Sequence, residues 1–136
     1  MITPETLAKC GTEHGHQSAL FCWAALNLDK YPQLSMLFAI PNGGQRDKIT
    51  AAKLKAEGVK SGVPDIMLPV ARFGCHGLFI ELKKPKAKLE NGKELAKGRT
   101  SNNQDTWIAK LKDEGYGACV CYGWNEARQV LEDYLC

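Results

Sequence analysis

The sequence predicts an α/β fold with a mixed central sheet flanked by helices. Three observations carry that expectation. Strand-like and helix-like stretches alternate along the chain. Two apolar runs, Ile66-Met67-Leu68-Pro69-Val70 and Leu78-Phe79-Ile80, stand either side of a Gly-rich break, Arg72-Phe73-Gly74-Cys75-His76-Gly77, and read as an antiparallel hairpin. From Leu78 to Tyr122 the order is strand, helix, strand, a crossover whose two strands should be parallel with a right-handed connection.

Residues 1–11 read as a flexible arm with a short turn at Pro4-Glu5-Thr6-Leu7. Thr12 is placed to cap a helix over 13–29, in which Gly15 weakens the first turn. Its Leu20, Phe21, Trp23, Ala24, Leu26 and Leu28 cover much of the circumference, so it should be well buried. Tyr31-Pro32 ends it. Residues 35–40 read as a strand, stopped by Pro41-Asn42-Gly43-Gly44. A mostly polar helix over 45–57 offers Ile49, Ala52 and Leu54 for packing, and Gly58 closes it. After Lys83 a polar stretch runs to about Asn102, and a connection that long inside a compact domain is usually functional or mobile. Ser101, Asn102 or Asn103 then caps a helix to Glu114, closed by Gly115, with Trp107, Ile108 and Leu111 as its apolar stripe and Gln104 on the same stripe in the first turn. Residues 117–122 form a buried strand. Asn125 caps a last helix with Ala127, Val130, Leu131 and Tyr134 at i, i+3, i+4, i+7. The order is α-β-α-β-β-α-β-α, with no repeat or linker, so 1–136 reads as one domain.

A chain of 136 residues is long enough to bury a real core. With 44% hydrophobic and 24% charged residues it belongs with globular rather than disordered chains. A net charge of +3 permits a nucleic-acid partner without requiring one, but the charge is local: from Lys83 to Arg99 there are seven Lys or Arg against two Glu. No apolar run reaches the roughly 18–20 residues of a membrane helix. The N-terminus lacks the basic stretch and apolar core of a secretory signal. A cytoplasmic protein with no membrane partner and no nucleotide cofactor is expected. None of the six cysteines forms a C-x-x-C pair, and Cys119 and Cys121 point to one face of an expected strand. Reduced, mostly buried thiols are expected, not a zinc knuckle.

The chemistry concentrates where the hairpin closes. With a turn near Phe73, antiparallel pairing sets Asp65 opposite Glu81 or its neighbour. Period two puts Glu81 and Lys83 on one face of the strand, while Leu78, Ile80 and Leu82 cover the other. Facing carboxylates repel, and buried ones are costly unless paired or on a metal. Two acids beside a lysine therefore point to a cation site. The crossover helix starts near the C-terminal end of the Glu81 strand, which brings Gln104 towards the same place. Each residue also has a plain structural alternative: a solvated acid pair, a salt bridge for Lys83, a helix cap for Gln104.

Pro64-Asp65 followed by Glu81-Leu82-Lys83 resembles the signature of the PD-(D/E)xK nuclease superfamily. The element order matches that superfamily's α-β-β-β-α-β restriction-endonuclease-like core, with one helix inserted after the first strand. More narrowly, the chain resembles the VRR-NUC (virus-type replication-repair nuclease) family. Glu13-His14-Gly15-His16-Gln17 is similar to the family's first-helix Glu with a following Gln, and 40–46 to its P-N-G-G-x-R segment. Residues 58–65 match its G-x-x-x-G-x-P-D, Glu81-Leu82-Lys83 its E-x-K, and Ser101-Asn102-Asn103-Gln104 its S-x-x-Q. The likeness covers about residues 12–122. It implies metal-dependent hydrolysis of DNA phosphodiesters, junctions or branched DNA as substrates, a homodimer, and a place in phage or bacterial recombination, repair or replication.

In that light Asp65 and Glu81 would hold Mg²⁺ or Mn²⁺, with the Leu82 backbone carbonyl as a further ligand. Glu13 would hold the ion through a water or directly. Lys83 would orient the nucleophile or offset transition-state charge, and Gln104 would position water or substrate. Asn42, Gly43 and Gly44 present backbone N–H groups at a helix entry, and Arg46 adds charge, which suits a phosphate. Lys84, Lys86, Lys88, Lys93, Lys97 and Arg99 would grip the DNA backbone; no aromatic residues interleave them, so base stacking is not their main grip. The i, i+2 spacing of His14 and His16 argues against zinc and for contact with solvent or substrate. The rivals are a non-catalytic or partner-dependent DNA-binding module on the same fold, and another hydrolase that uses one divalent ion.

Overall fold

The computed structural model describes residues 1–41 and 47–136. In chain order its elements are α1 (Pro4–Ala8), α2 (Glu13–Leu26), a 3₁₀ turn (Pro32–Met36), β1 (Phe38–Ala39), α3 (Lys48–Ala56), β2 (Ile66–Leu68), β3 (Leu78–Lys83), β4 (Ala87–Lys88), β5 (Glu94–Leu95), α4 (Asn102–Asp113), β6 (Gly117–Tyr122) and α5 (Trp124–Leu135). The main sheet has the order β1-β2-β3-β6. Its first two pairings are antiparallel and β3 runs parallel to β6, so the sheet is mixed, as the crossover requires. β4 and β5 form a separate two-stranded ribbon.

β3 is the strand on which everything rests. Leu78, Ile80 and Leu82 face a core built with Ile66, Leu68, Leu20, Ala24, Ala127 and Leu131, so α2 and α5 cover that side of the sheet. Phe79 faces a smaller core with Ile108 of α4 and Ala118 of β6. Each fully buried Leu or Ile contributes about 1.5–3 kcal/mol relative to exposure. The break between β2 and β3 closes as a tight turn. Arg72 and Cys75 exchange backbone hydrogen bonds of 3.2 and 2.8 Å around Phe73 and Gly74. Both central residues carry positive φ, 53° and 77°, which matches the right-handed twist of the flanking strands. The Tyr134 hydroxyl donates to the Val70 carbonyl at 2.5 Å and ties α5 to this hairpin.

Several expectations give way. Residues 4–8, expected within a flexible arm, form α1: Thr3 and Thr6 cap each other reciprocally, and Pro4 sits in the first turn. This helix lies so close to α2 that a Cβ on Gly15 would fall 2.5 Å from Cys10 Sγ and 2.7 Å from the Leu7 carbonyl oxygen. Gly15 is therefore a contact point rather than a weak spot. α2 ends at Leu26, leaving Leu26 and Leu28 exposed. The strand expected over 35–40 shrinks to Phe38–Ala39: the 3₁₀ turn that starts at Pro32 runs through Met36, and among the described residues β1 pairs with β2 alone. α3 buries no residue, and Ile49 is 73% exposed instead of packed. The cap of α5 is Gly123, not Asn125, which lies inside the helix. The cysteines are free, as expected, but Cys121 alone among them is fully buried.

Candidate functional site

The register Ile66↔Ile80, continued by one residue, sets Asp65 opposite Glu81. Asp65 lies where the chain enters β2. Its backbone carbonyl accepts the Ile40 N–H at 2.7 Å, and its Oδ2 accepts the Leu82 N–H at 2.9 Å. In a strand the N–H and C=O of one residue leave on the same side. The Leu82 carbonyl therefore opens towards Asp65, while that of Lys83 turns to the other neighbour and accepts the Gly123 N–H at 2.8 Å. One strand end thus carries two carboxyl groups and a backbone carbonyl on one side.

Glu81 is 1% exposed, and its buried Oε1 has no hydrogen-bond partner among the described residues. Burial, the hydrogen bond with the Asp65 carboxyl and the Asp65 charge push Glu81 up to about 9, against a weaker pull from Lys83. At neutral pH and with no cation, Glu81 keeps a proton. Lys83 Nζ stands 3.5 Å from Glu13 Oε1, with the lysine side chain 12% exposed. Glu13 opens α2, so the sequence-expected metal-side acid is held on the lysine. Among the described residues no group of three or more His, Cys, Asp or Glu side chains is gathered for a metal. Two carboxyl groups and a carbonyl nevertheless suit a hard cation such as Mg²⁺, which keeps several waters and commonly takes only one or two carboxylates. The orphaned Glu81 oxygen fits the same reading.

α4 brings in Gln104. Ser101 Oγ accepts the Gln104 N–H at 3.2 Å, and Gln104 Oε1 accepts the Ser101 N–H at 2.8 Å, a reciprocal cap. The amide nitrogen of Gln104 has no partner among the described residues. The helix start is fastened to the loop before Asp65: Asn103 Nδ2 donates to the Ser61 carbonyl at 2.8 Å and lies 3.1 Å from its hydroxyl. Gly62 makes this approach feasible. Its φ is 91°, and a Cβ there would lie 2.8 Å from Asn103 Cγ. Gly62→Ala should therefore cost about 1–3 kcal/mol and shift the start of α4 away from Asp65. The check is a thermal melt together with an activity assay; an unchanged melting temperature would contradict the contact.

The basic residues follow directly. Lys84 is half-buried, and Lys86, Lys88, Lys93 and Arg99 are exposed around the β4–β5 hairpin. Lys97 Nζ sits 3.8 Å from the centre of the Tyr122 ring. The Gly98 N–H donates to the Lys84 carbonyl at 2.9 Å, and a Cβ on Gly98 would lie 3.3 Å from Lys83 Cβ, so the returning chain packs on the lysine stem. Asn42, Gly43, Gly44 and Arg46 lie outside the described residues.

His16 departs from expectation. It is buried, and its Nδ1 accepts the Trp124 N–H at 3.0 Å, serving the first turn of α5 where the capping glycine has no side chain. Burial lowers its pKa. It is a helix cap rather than a contact for solvent or substrate; His14 is exposed, as expected. The glycine before the last helix was the available signal, since a helix start without its own cap must find an acceptor elsewhere. A recess of about 780 Å³ between the α1–α2 turn and the β4–β5 hairpin has His16 and Pro85 in its wall, but none of Asp65, Glu81 and Lys83.

The sequence profile of the VRR-NUC domain matches residues 5–125. The chain belongs to the VRR-NUC family. A solved structure described as a VRR_NUC domain protein aligns with a TM-score of 0.69 and 30% identity, over 91% of this chain and 88% of that chain. Comparison with curated proteins returned no match. This VRR-NUC protein thus has the PD-(D/E)xK-like fold and a nuclease-family function acting on DNA, in a family that generally depends on divalent metals. Among the described residues no helix is long and apolar enough to cross a membrane.

Proposed function

We propose that this VRR-NUC protein is a divalent-metal-dependent deoxyribonuclease, with residues 1–136 forming one nuclease domain. The observation that carries the proposal is the half-buried Asp65 paired with the buried Glu81, whose Oε1 has no hydrogen-bond partner among the described residues, set beside Lys83. Asp65, Glu81 and the Leu82 carbonyl would hold Mg²⁺ or Mn²⁺. When bound, such an ion supplies Lewis-acid polarisation and a lowered pKa for water. The chain does the rest. Lys83, steered by Glu13, presents its ammonium to the nucleophile or to the developing charge on phosphorus oxygens. Gln104, fixed by its own cap, offers an amide N–H to water or substrate. Lys84, Lys86 and Arg99 hold the flanking backbone without reading sequence, and the 42–46 segment binds a phosphate.

Branched or junction DNA as substrate, a homodimer, and a cytoplasmic role in phage or bacterial recombination, repair or replication extend this reading on the strength of the family likeness. The test is cleavage of a labelled panel of single strand, duplex, flap, splayed arm, four-way junction and plasmid. Each is assayed with Mg²⁺, Mn²⁺ or EDTA, with Asp65→Ala and Lys83→Ala as controls. Cutting that needs the ion, fails in both variants and favours the branched forms is the expected result. Binding without cutting on every substrate would move the protein to a non-catalytic or partner-dependent module.

A further inference from the structure

Trp107 belongs to neither core. The sequence placed it on the buried stripe of α4, yet Ile108 and Leu111 fill that role while the indole stays half-buried. It lines a recess of about 440 Å³ with Ile40, Pro41, Val59 and Val63. We propose that this recess takes an unpaired DNA base next to the cleavage site. The proposal rests on the DNA-cleaving reading above and names what the site would select.

Three of the lining residues are attached to site residues. Trp107 lies one helical turn beyond Gln104, and Val63 lies two residues before Asp65. Ile40 donates its N–H to the Asp65 carbonyl at 2.7 Å. A base lodged here is therefore a near neighbour of the phosphate that the carboxyl pair and Lys83 would act on. The chemistry of the walls favours a ring. Apolar side chains and an indole suit a flat aromatic group, and base–aromatic stacking is tolerant of sequence. The indole N–H has no partner among the described residues and is available to a polar edge of the occupant. Glu57 also lines the recess; its carboxylate accepts from a ring amino group and repels a bare phosphate. Lys60, also in the lining, suits the phosphate of that nucleotide. The volume falls within the usual range for small-ligand sites, about 300–1,000 Å³. Bases in continuous duplex are stacked and paired, so only nucleotides at flaps, junctions or single strands can enter without unpairing. The recess thereby discriminates branched from continuous DNA without reading sequence.

The experiment measures binding in EDTA, so that nothing is cut. Flap and single-stranded oligonucleotides carry one abasic site moved along the strand in single steps. At one position the wild-type protein should lose about tenfold or more in affinity, the scale of one base stacked on one aromatic ring. Trp107→Ala should lose the same on the intact oligonucleotide and lose nothing further on the abasic one. Trp107→Phe should keep most of the wild-type affinity. A 2-aminopurine at that position should be quenched by the wild-type protein and not by Trp107→Ala. A misfolded variant would instead weaken on every oligonucleotide, the abasic one included, and Trp107→Phe then carries the comparison. No sensitive position, equal sensitivity in wild type and Trp107→Ala, or no binding at all overturns the proposal. Metal-dependent cutting with no sensitive position would leave the nuclease reading standing and remove the base site. A sensitive position tied to Trp107, with no cutting in Mg²⁺ or Mn²⁺, would do the reverse.

Discussion

Lys83→Ala should lower cleavage by about 10²–10³-fold, the usual loss when a group aimed at transition-state charge is removed. DNA affinity should change little, because the exposed lysines and arginine of the neighbouring hairpin remain. Metal affinity should not fall, since the ammonium competes with a cation for the two acids. The geometry makes this a demanding test. Lys83 is held between the Glu13 carboxylate at 3.5 Å and the backbone of Gly98, so its ammonium has one well-defined station. Lys83→Arg should not rescue, because a planar guanidinium does not reproduce a compact point charge. Glu13→Gln leaves the lysine in place but unsteered and should cost less, about tenfold. Single-turnover rates with calorimetric metal titration separate these effects. Near-wild-type cutting by Lys83→Ala would reduce the residue to a structural ion pair.

Glu81→Gln should abolish cutting and yet make the metal-free protein more stable at pH 8. Glu81 sits at about 9 in the folded chain, against an ordinary value of 4.5. Between those values the native state keeps a proton that the unfolded chain releases. Metal-free stability is therefore fullest below the ordinary carboxylate pKa and declines as pH rises towards about 9. Glutamine has no such proton, so the decline should flatten and the melting temperature at pH 8 should exceed that of wild type. Added Mg²⁺ or Mn²⁺ should stabilise the wild type increasingly as pH rises, because a cation displaces the proton, and should leave the variant nearly unmoved. Melts from pH 5 to 9 with EDTA or metal read both effects. Parallel pH slopes in wild type and variant would mean that Glu81 is already ionised in the native protein.

Much of the fold and of the carboxyl pairing was legible because the residues concerned obey a simple period. LFIELK alternates around one strand, the Gly-rich break fixes the hairpin turn, and the spacing from there sets Asp65 against Glu81 without any tertiary information. The Ser101–Gln104 helix start was legible for a similar reason, since a capping box is local. What escaped depends on partners distant in sequence. Nothing near His16 announces that it caps a helix starting 108 residues later. Ile49 reads as a packing group because it is apolar, yet no core surface of the described chain covers α3. The β4–β5 ribbon consists of two-residue strands, Ala87–Lys88 and Glu94–Leu95, too short and too polar to carry a period. Trp107 fitted the stripe of α4 by spacing, and only the packed helix shows that Ile108 and Leu111 fill the contact without it.

That ribbon is fastened at its base and along one side. The Gly98–Lys84 backbone bond and Lys97 over Tyr122 hold the base. Leu95 and Leu89 lie over Gly11, where a Cβ would meet Leu95 Cδ1 at 2.6 Å. At its tip Glu90 stands 3.9 Å from Lys9 Nζ, an exposed pair, and among the described residues no hydrogen bond or ion pair joins the tip to the main sheet or to Asp65 and Glu81. Selection can therefore lengthen, shorten or recharge the tip as an interchangeable part, while β3 keeps its dimensions. One chemical centre could in this way be adapted to nucleic acids of different shape by editing a few surface codons.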